Sequence, residues 1–287
     1  MIGFLSRLET LGILISDGAM GTELAARGLP GGTAPELWNV ENPDAVKSVH
    51  QAYIAAGSDI ICTNTFGANR IKMGKFGLAD RVGELADAGV KLAKECAGDV
   101  LVFASLGPTG ELLEPYGELT ESEARDVFQE ASAAAANGGA DAILFETFYD
   151  LSEAKLAVES ARGTGLPVIC TMTFDKGGRT MMGVSPMQAA LELPAAGAAA
   201  IGANCGVGPD AMLPVVQKLC TAATLQVPVM VQPNAGLPPN VESPERMAEF
   251  ALRFADLGAR IVGGCCGSGP EHVAAIANAL KARRTHG

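Results

Sequence analysis

Positive charge is scarce in this chain. Its 287 residues carry 21 Lys and Arg against 32 Asp and Glu, a formal net charge of −11 with only three His to add near neutrality, and that balance argues against nucleic acid as a partner. Long hydrophobic runs are also missing: no stretch of about 18 apolar residues escapes a charge or a Gly/Pro break, so no membrane span is expected. The opening MIGFLSRLETLGILISDG contains an apolar run, but Glu9 and Asp17 interrupt it, and neither a basic leader nor a small-residue cleavage site frames it. A cytoplasmic protein is the expectation. Neither GxGxxG nor the P-loop pattern occurs, so nucleotide binding has no motif support. The seven cysteines include no CxxC pair and are odd in number within a long, core-rich chain, which disfavours a disulfide framework and leaves metal binding or plain burial.

What is present is a regular rhythm. With 48% hydrophobic and 18% charged residues, 35 Gly and 16 Pro, the chain is too apolar for disorder and too interrupted for a coiled coil. Eight short apolar runs recur at 13–17, 59–64, 100–106, 142–146, 167–173, 199–205, 228–234 and 259–265, with Ala-rich stretches of helical spacing between them. Helix boundaries fall in those intervals. Asn42-Pro43-Asp44 opens a helix that Gly57 closes; Thr120 and Glu123 form a capping box for one ended by Gly138-Gly139; Ser243-Pro244 starts one ended by Gly258. Eight strands alternating with helices fit one (β/α)8 TIM barrel over 1–287 better than an open doubly wound sheet.

In such a barrel the chemistry lies at the C-terminal strand ends. Those ends carry Asp17, Thr63-Asn64-Thr65, Ser105 with Gly107, Glu146, Thr171 with Thr173, Asn204-Cys205, Gln232 with Asn234, and Cys265-Cys266. Cys205 in GANCG and Cys265-Cys266 in GGCCG end the sixth and eighth runs, whose mouths can meet. Three thiolates with one exchangeable position describe a catalytic zinc site, and the flanking glycines let consecutive cysteines turn toward one ion. On spacing alone, burial of these cysteines is an equally good reading; Cys62, Cys96, Cys170 and Cys220 are assigned to it. His50 and His272 fall on helices and His286 in the tail, which disfavours them as ligands. Asp17 and Glu146 end apolar runs, where an acid needs a partner such as a substrate ammonium. Gly18 and the backbone around Thr63 and Thr65 offer N–H groups to a carboxylate. Two rivals stand beside this amino-acid site. One is a phosphate-binding lyase or isomerase using the loop GGCCGSGPEHV, although no Lys ends any run to form a Schiff base. The other is a zinc-binding barrel module or carrier with no catalytic role.

The segments ISDGAMGTEL, GSDIICTNTFGANR, SLGPTG, GADAILFETF, IGANCGVGP, VQPNAGLP and RIVGGCCGSGPEHV resemble the homocysteine S-methyltransferases, including the homocysteine-binding barrel of cobalamin-dependent methionine synthase. The resemblance implies a (β/α)8 barrel, Zn2+ on Cys205, Cys265 and Cys266, and a substrate ammonium on Asp17 and Glu146. It also implies Asn234 as the fourth ligand when substrate is absent. The implied reaction moves a methyl group from an activated donor to homocysteine, giving methionine. Because the sequence ends soon after the eighth unit, it is expected to lack the folate and cobalamin domains of full-length methionine synthase. SLGPTG and QPNAG favour a methylated corrinoid protein as donor over a sulfonium such as S-methylmethionine. Trp38 and the segment 30–43 are read either as a donor-site wall or as packing at the rim.

Overall fold

The computed structural model describes residues 3–223, 227–237 and 239–284. Among them ten strands form: β1 (Leu14–Ile15), β2 (Ile60–Cys62), β3 (Leu101–Leu106), β4 (Ala142–Phe148), β5 (Val168–Met172), β6 (Ala200–Asn204), β7 (Val229–Gln232), β8 (Gly236–Leu237), β9 (Asn240–Val241) and β10 (Ile261–Val262). The antiparallel β8–β9 hairpin stands apart and was not foreseen. The other eight coincide with the eight apolar runs and build one parallel sheet in the order β1-β10-β7-β6-β5-β4-β3-β2.

The local chemistry explains the intervening helices. Pro43–Ala56 starts with proline at its first position and ends on Gly57, whose φ of 100° suits glycine. Glu121–Asn137 has the Thr120/Glu123 capping box with both reciprocal bonds, and Ser243 caps Pro244–Asp256 through Arg246 N. Their apolar faces pack on the outward residues of the strands, such as Val102, Ala104, Ile143 and Phe145. No helix among the described residues is long and apolar enough to cross a membrane.

The seam between β1 and β2 closes the barrel with little strand pairing. Asp59 N donates to Ile15 O at 2.8 Å, while the Asp59 carboxylate accepts from Ile15 N at 2.8 Å. One turn higher, Asp17 Oδ2 accepts from Cys62 N at 2.6 Å. Two side chains thus satisfy backbone donors that a longer ladder would otherwise pair.

Inside the barrel the period of two sorts residues by height. Leu14, Ile60, Leu101, Phe103, Ala142, Leu144, Ile169, Ala200, Met230 and Ile261 form one apolar cluster, plugged from below by Phe4 and Leu8 of the helix Phe4–Leu11. Phe4 meets Phe103 edge to face at 5.2 Å. The next inward positions on the strands are Ser16, Cys62, Ser105, Glu146, Thr171 and Gln232, with Asn204 one repeat beyond Gly202 on β6. The interior therefore turns polar within one pleat of the C-terminal end.

Candidate active site

A cavity of about 560 Å³ opens at that polar end, and its wall includes Cys205, Cys265, Cys266, Glu146, Ser105, Gln232, Thr63 and Gly18. Each cysteine is placed by a break in its strand. Cys205 follows β6 with φ 58°, a left-handed conformation rare for a residue with a side chain. Its N–H still bonds Gln232 O at 3.0 Å. β10 stops at Val262, and the chain turns through Cys265-Cys266 to Gly267, where a Cβ would meet Gly236 O at 1.7 Å. Cys265 N on Pro233 O at 2.8 Å, and Ala235 N on Cys266 O at 2.9 Å, fasten this turn to the segment after β7.

The three sulfurs lie within 4.8 Å of one another, and Cys205 and Cys266 are 3.8 Å apart. Hydrogen bonds from Cys265 and Cys266 pull the Cys205 thiol far below its usual range, whereas those two are pushed up. Ionising all three at this spacing requires a cation. The Asn234 side chain hydrogen-bonds Cys205, and its Oδ1 is buried without a partner. An orphaned amide oxygen beside three sulfurs fits a metal site with a fourth, weaker position.

Glu146 stands across the cavity on a distortion of β4. The pairing of β4 with β5 shifts register between Phe145 and Phe148, and Thr147 has φ 67°. Asn204 holds this bulge: its Oδ1 accepts from Thr147 N at 2.8 Å and Thr171 Oγ1 at 2.7 Å, while its Nδ2 donates to Thr147 Oγ1 at 2.8 Å and Glu146 Oε2 at 3.2 Å. The same Nδ2 lies 3.9 Å from Cys265 Sγ. Ser105 Oγ donates to Glu146 Oε1. Burial pushes the Glu146 carboxyl up to about 7, opposed by the Ser105 bond and helped by the charge of Asp17. Asp17 is likewise pushed up to about 7 by burial, against its hydrogen bond from Cys62 N.

The structure brings most of the expected residues together but sorts their positions. Glu146, Gly18 and Thr63 reach the cavity wall; Asp17 sits behind it, 1% exposed, under Cys62. Thr65 is also behind, its hydroxyl 2.5 Å from Thr63 Oγ1 and bonded to Ser105 O at 2.6 Å. Cys62, assigned to burial, is both buried and on the wall. Segment 30–43 folds into short helical turns, Pro35–Leu37 and Trp38–Glu41. Trp38 packs on the core, which is the rim-packing alternative, while Pro35 and Glu36 line the cavity. His50 and His272 are buried on helices away from the cysteines, and His286 lies outside the described residues. Ser105 and Asn204 stood among the strand ends without a role; Lys72 and Phe66, which also line the cavity, carried no strand-end signal at all.

A barrel with a thiol cluster and a half-buried acid at its C-terminal mouth defines a class: a (β/α)8 barrel whose polar end suits a soft metal ion beside a charged group. Comparison with known proteins narrows it. Residues 14–280 match the model of the homocysteine S-methyltransferase family. Methionine synthase of Mycobacterium tuberculosis is 35% identical over 93% of this chain and that of Mycobacterium leprae 34% over 95%. The chain spans about a quarter of the length of these curated relatives. The metallated form of the homocysteine methyltransferase MmuM from Escherichia coli superposes with a TM-score of 0.81 at 26% identity, covering 96% of this chain and 98% of that one. The chain belongs to the homocysteine S-methyltransferase family.

Proposed function

We propose that this barrel is a zinc-dependent transferase that moves a methyl group from an activated donor to the thiol of homocysteine, giving methionine. One observation carries the reading: three sulfurs within 4.8 Å share a cavity with a half-buried carboxylate hydrogen-bonded by Ser105 and Asn204. Cys205, Cys265 and Cys266 hold Zn2+, with Asn234 in the fourth position when substrate is absent. Three thiolates leave the ion a net charge of about −1, which favours an ionised substrate thiol while preserving its nucleophilicity.

The chain's own residues supply orientation. Glu146, fixed by Ser105 and Asn204, receives the homocysteine ammonium in a charge-assisted bond. Asp17 adds negative charge from behind, and the ammonium in turn lets both acids ionise. Thr63 and the backbone at Gly18 border the same space. Membership of the family and the likeness to two methionine synthases support homocysteine as acceptor and favour a methylated corrinoid protein as donor.

The test is a donor comparison at fixed homocysteine and zinc, using a methylated corrinoid protein, free methylcobalamin, S-methylmethionine and betaine. Turnover with the corrinoid protein is expected. Efficient turnover with S-methylmethionine alone would replace that donor and keep the acceptor. Methionine from none of them, with zinc bound but no thiol-dependent change in its coordination, would leave a carrier.

A further inference from the structure

The three cysteines sit on two turns, and a third stretch of chain, 233–236, laces those turns together. Pro233 O accepts from Cys265 N at 2.8 Å, and Asn234 N donates at 3.1 Å to the carbonyl of Val207, whose own N–H bonds Cys205 O at 2.7 Å. Ala235 N and Gly236 N both donate to Cys266 O, at 2.9 and 3.1 Å. No side chain separates the layers here, since a Cβ on Gly267 would meet Gly236 O at 1.7 Å. A shift of 233–236 is therefore passed to the cysteine turns through backbone alone.

What fixes this stretch from its far side is a histidine. The chain leaves through the β8–β9 hairpin and returns at Glu242, whose N–H donates to Ala235 O at 2.7 Å. Glu242 O lies 2.8 Å from Nε2 of His272, in the helix Pro270–Leu280 that follows the Cys265-Cys266 turn. A carbonyl only accepts, so Nε2 carries the hydrogen. In the neutral ring that leaves Nδ1 as the acceptor, and Gly269 N donates to it at 3.1 Å. Glu271 Oε1 lies 3.3 Å from the same nitrogen, but the ionised carboxylate also only accepts, and it is mostly exposed.

The ring is 3% exposed and both of its nitrogens are used. They close a circuit that runs from Cys266 to Ala235, Glu242, His272 and Gly269, then back along the chain to Cys266. Every link but this one is backbone. Capping the helix needs only the bond at Nδ1; the bond at Nε2 leaves the helix and reaches the opposite side of the cysteine turn.

We propose that His272 is a positioning residue for the metal site, a role that rests on the reading of Cys205, Cys265 and Cys266 as metal ligands. As the Nε2–H tautomer it ties the helix after Cys266 to Glu242, and so holds 233–236, with Asn234, against both cysteine turns. Outer hydrogen bonds that orient ligands change metal affinity about 10- to 100-fold when lost.

Two substitutions separate this role from capping. His272→Asn keeps an acceptor for Gly269 N but is too short for Glu242 O, whereas His272→Gln brings an amide donor to the longer reach. Zinc affinity of the full chain, measured by competition with a chromogenic chelator, should fall about tenfold or more in His272→Asn and stay within about threefold of wild type in His272→Gln. The thiolate-to-metal and d–d bands of the cobalt-substituted protein should follow the same order. Wild-type affinity and bands in both variants, whatever happens to Tm, would reduce His272 to a helix cap and overturn the proposal. Equal losses in both would overturn it too. Should His272→Asn fail to fold, nitrogen NMR of the wild-type ring decides: the Nε2–H tautomer, with signals that shift on adding zinc, is expected. The other tautomer, or signals indifferent to zinc, would overturn the assignment. Absence of zinc from the wild type would remove the metal site and this proposal with it, whereas unaltered affinity in a folded variant removes this proposal alone.

Discussion

The lower and upper halves of the barrel interior are built on the same strands, with the same alternation, and differ in everything else. On β3, Phe103 belongs to the apolar plug and Ser105 to the cavity; on β4 the pair is Leu144 and Glu146, on β7 Met230 and Gln232. One pleat repeat, roughly 7 Å along a strand, separates the two regimes. Below, side chains gain by leaving water, and shape decides the energy. Above, polar groups are buried at a cost that only partners can offset: Glu146 through Ser105 and Asn204, Asp17 through Cys62 N. Rigid strands shared by both halves let the lower one hold the upper one in place.

That division sets the expected effects of substitution. The largest falls in the upper half. Cys265→Ala removes one of three sulfurs and should abolish zinc binding and lower activity about a thousandfold or more, while the melting curve keeps its cooperativity because the plug is untouched. Full metal occupancy in that variant, by elemental analysis, would remove Cys265 from the site. Phe103→Ala is the mirror case. Removing a fully buried ring that meets Phe4 should cost about 3–5 kcal/mol of stability, leaving KM for homocysteine unchanged in the folded fraction. A shifted KM with little loss of stability would show that the two halves are not separable.

A smaller effect is expected at Glu146. Glu146→Gln preserves shape but removes the charge that faces the ammonium, so KM for homocysteine should rise about ten- to a hundredfold, with mercaptoethanol much less affected and zinc retained. The pH dependence has a definite sign. Burial raises the carboxyl from 4.5 to about 7 in the ligand-free protein, so homocysteine should bind more weakly as pH falls through about 7, and the variant should lose that slope. Stability runs the other way: the folded state holds a proton the unfolded chain has released, so ligand-free wild type loses stability as pH rises from about 4.5 to 7. In Glu146→Gln the decline should be shallower, with Asp17 supplying the remainder. Equal KM increases for both thiols would mean that Glu146 does not read the amino group.

The same contrast explains what could be read from sequence. The lower half and the outer helices were legible because they follow periods: eight apolar runs became eight strands, Thr120 and Ser243 started helices and Gly57 ended one where cap chemistry requires. The three cysteines and Glu146 were legible because strand ends are special places in a barrel. Asn204 was visible in position but not in role, since a hub among Thr147, Thr171 and Glu146 exists only after three strands pair. Lys72 was hidden for a different reason. It approaches from a helix beyond the strand, where no period or strand-end rule points inward. Asp17 shows the opposite error of emphasis: it ends a run as expected, but it fills a backbone donor at the seam rather than the cavity wall.

The smallest expected effect probes the bulge that aims Glu146. Thr147 has φ 67°, where a β-branched residue is strained by about 1–3 kcal/mol. What holds it there is Asn204, through both Thr147 N and Thr147 Oγ1. Thr147→Gly relieves the strain but loses the hydroxyl bond, worth about 1 kcal/mol, and lets the unfolded chain gain entropy of similar size. The net change should be within about 1 kcal/mol. The backbone bond to Asn204 remains, so the bulge should persist and kcat/KM should fall only a few-fold, well under 1.4 kcal/mol of transition-state stabilisation per site. Thr147→Val keeps the branch and the strain but loses the same bond, and it should be the less stable of the two by thermal melting. If the valine variant matched the glycine variant in stability, strain at this position would not be stored, and the aim of Glu146 would have to come from Asn204 and Ser105 alone.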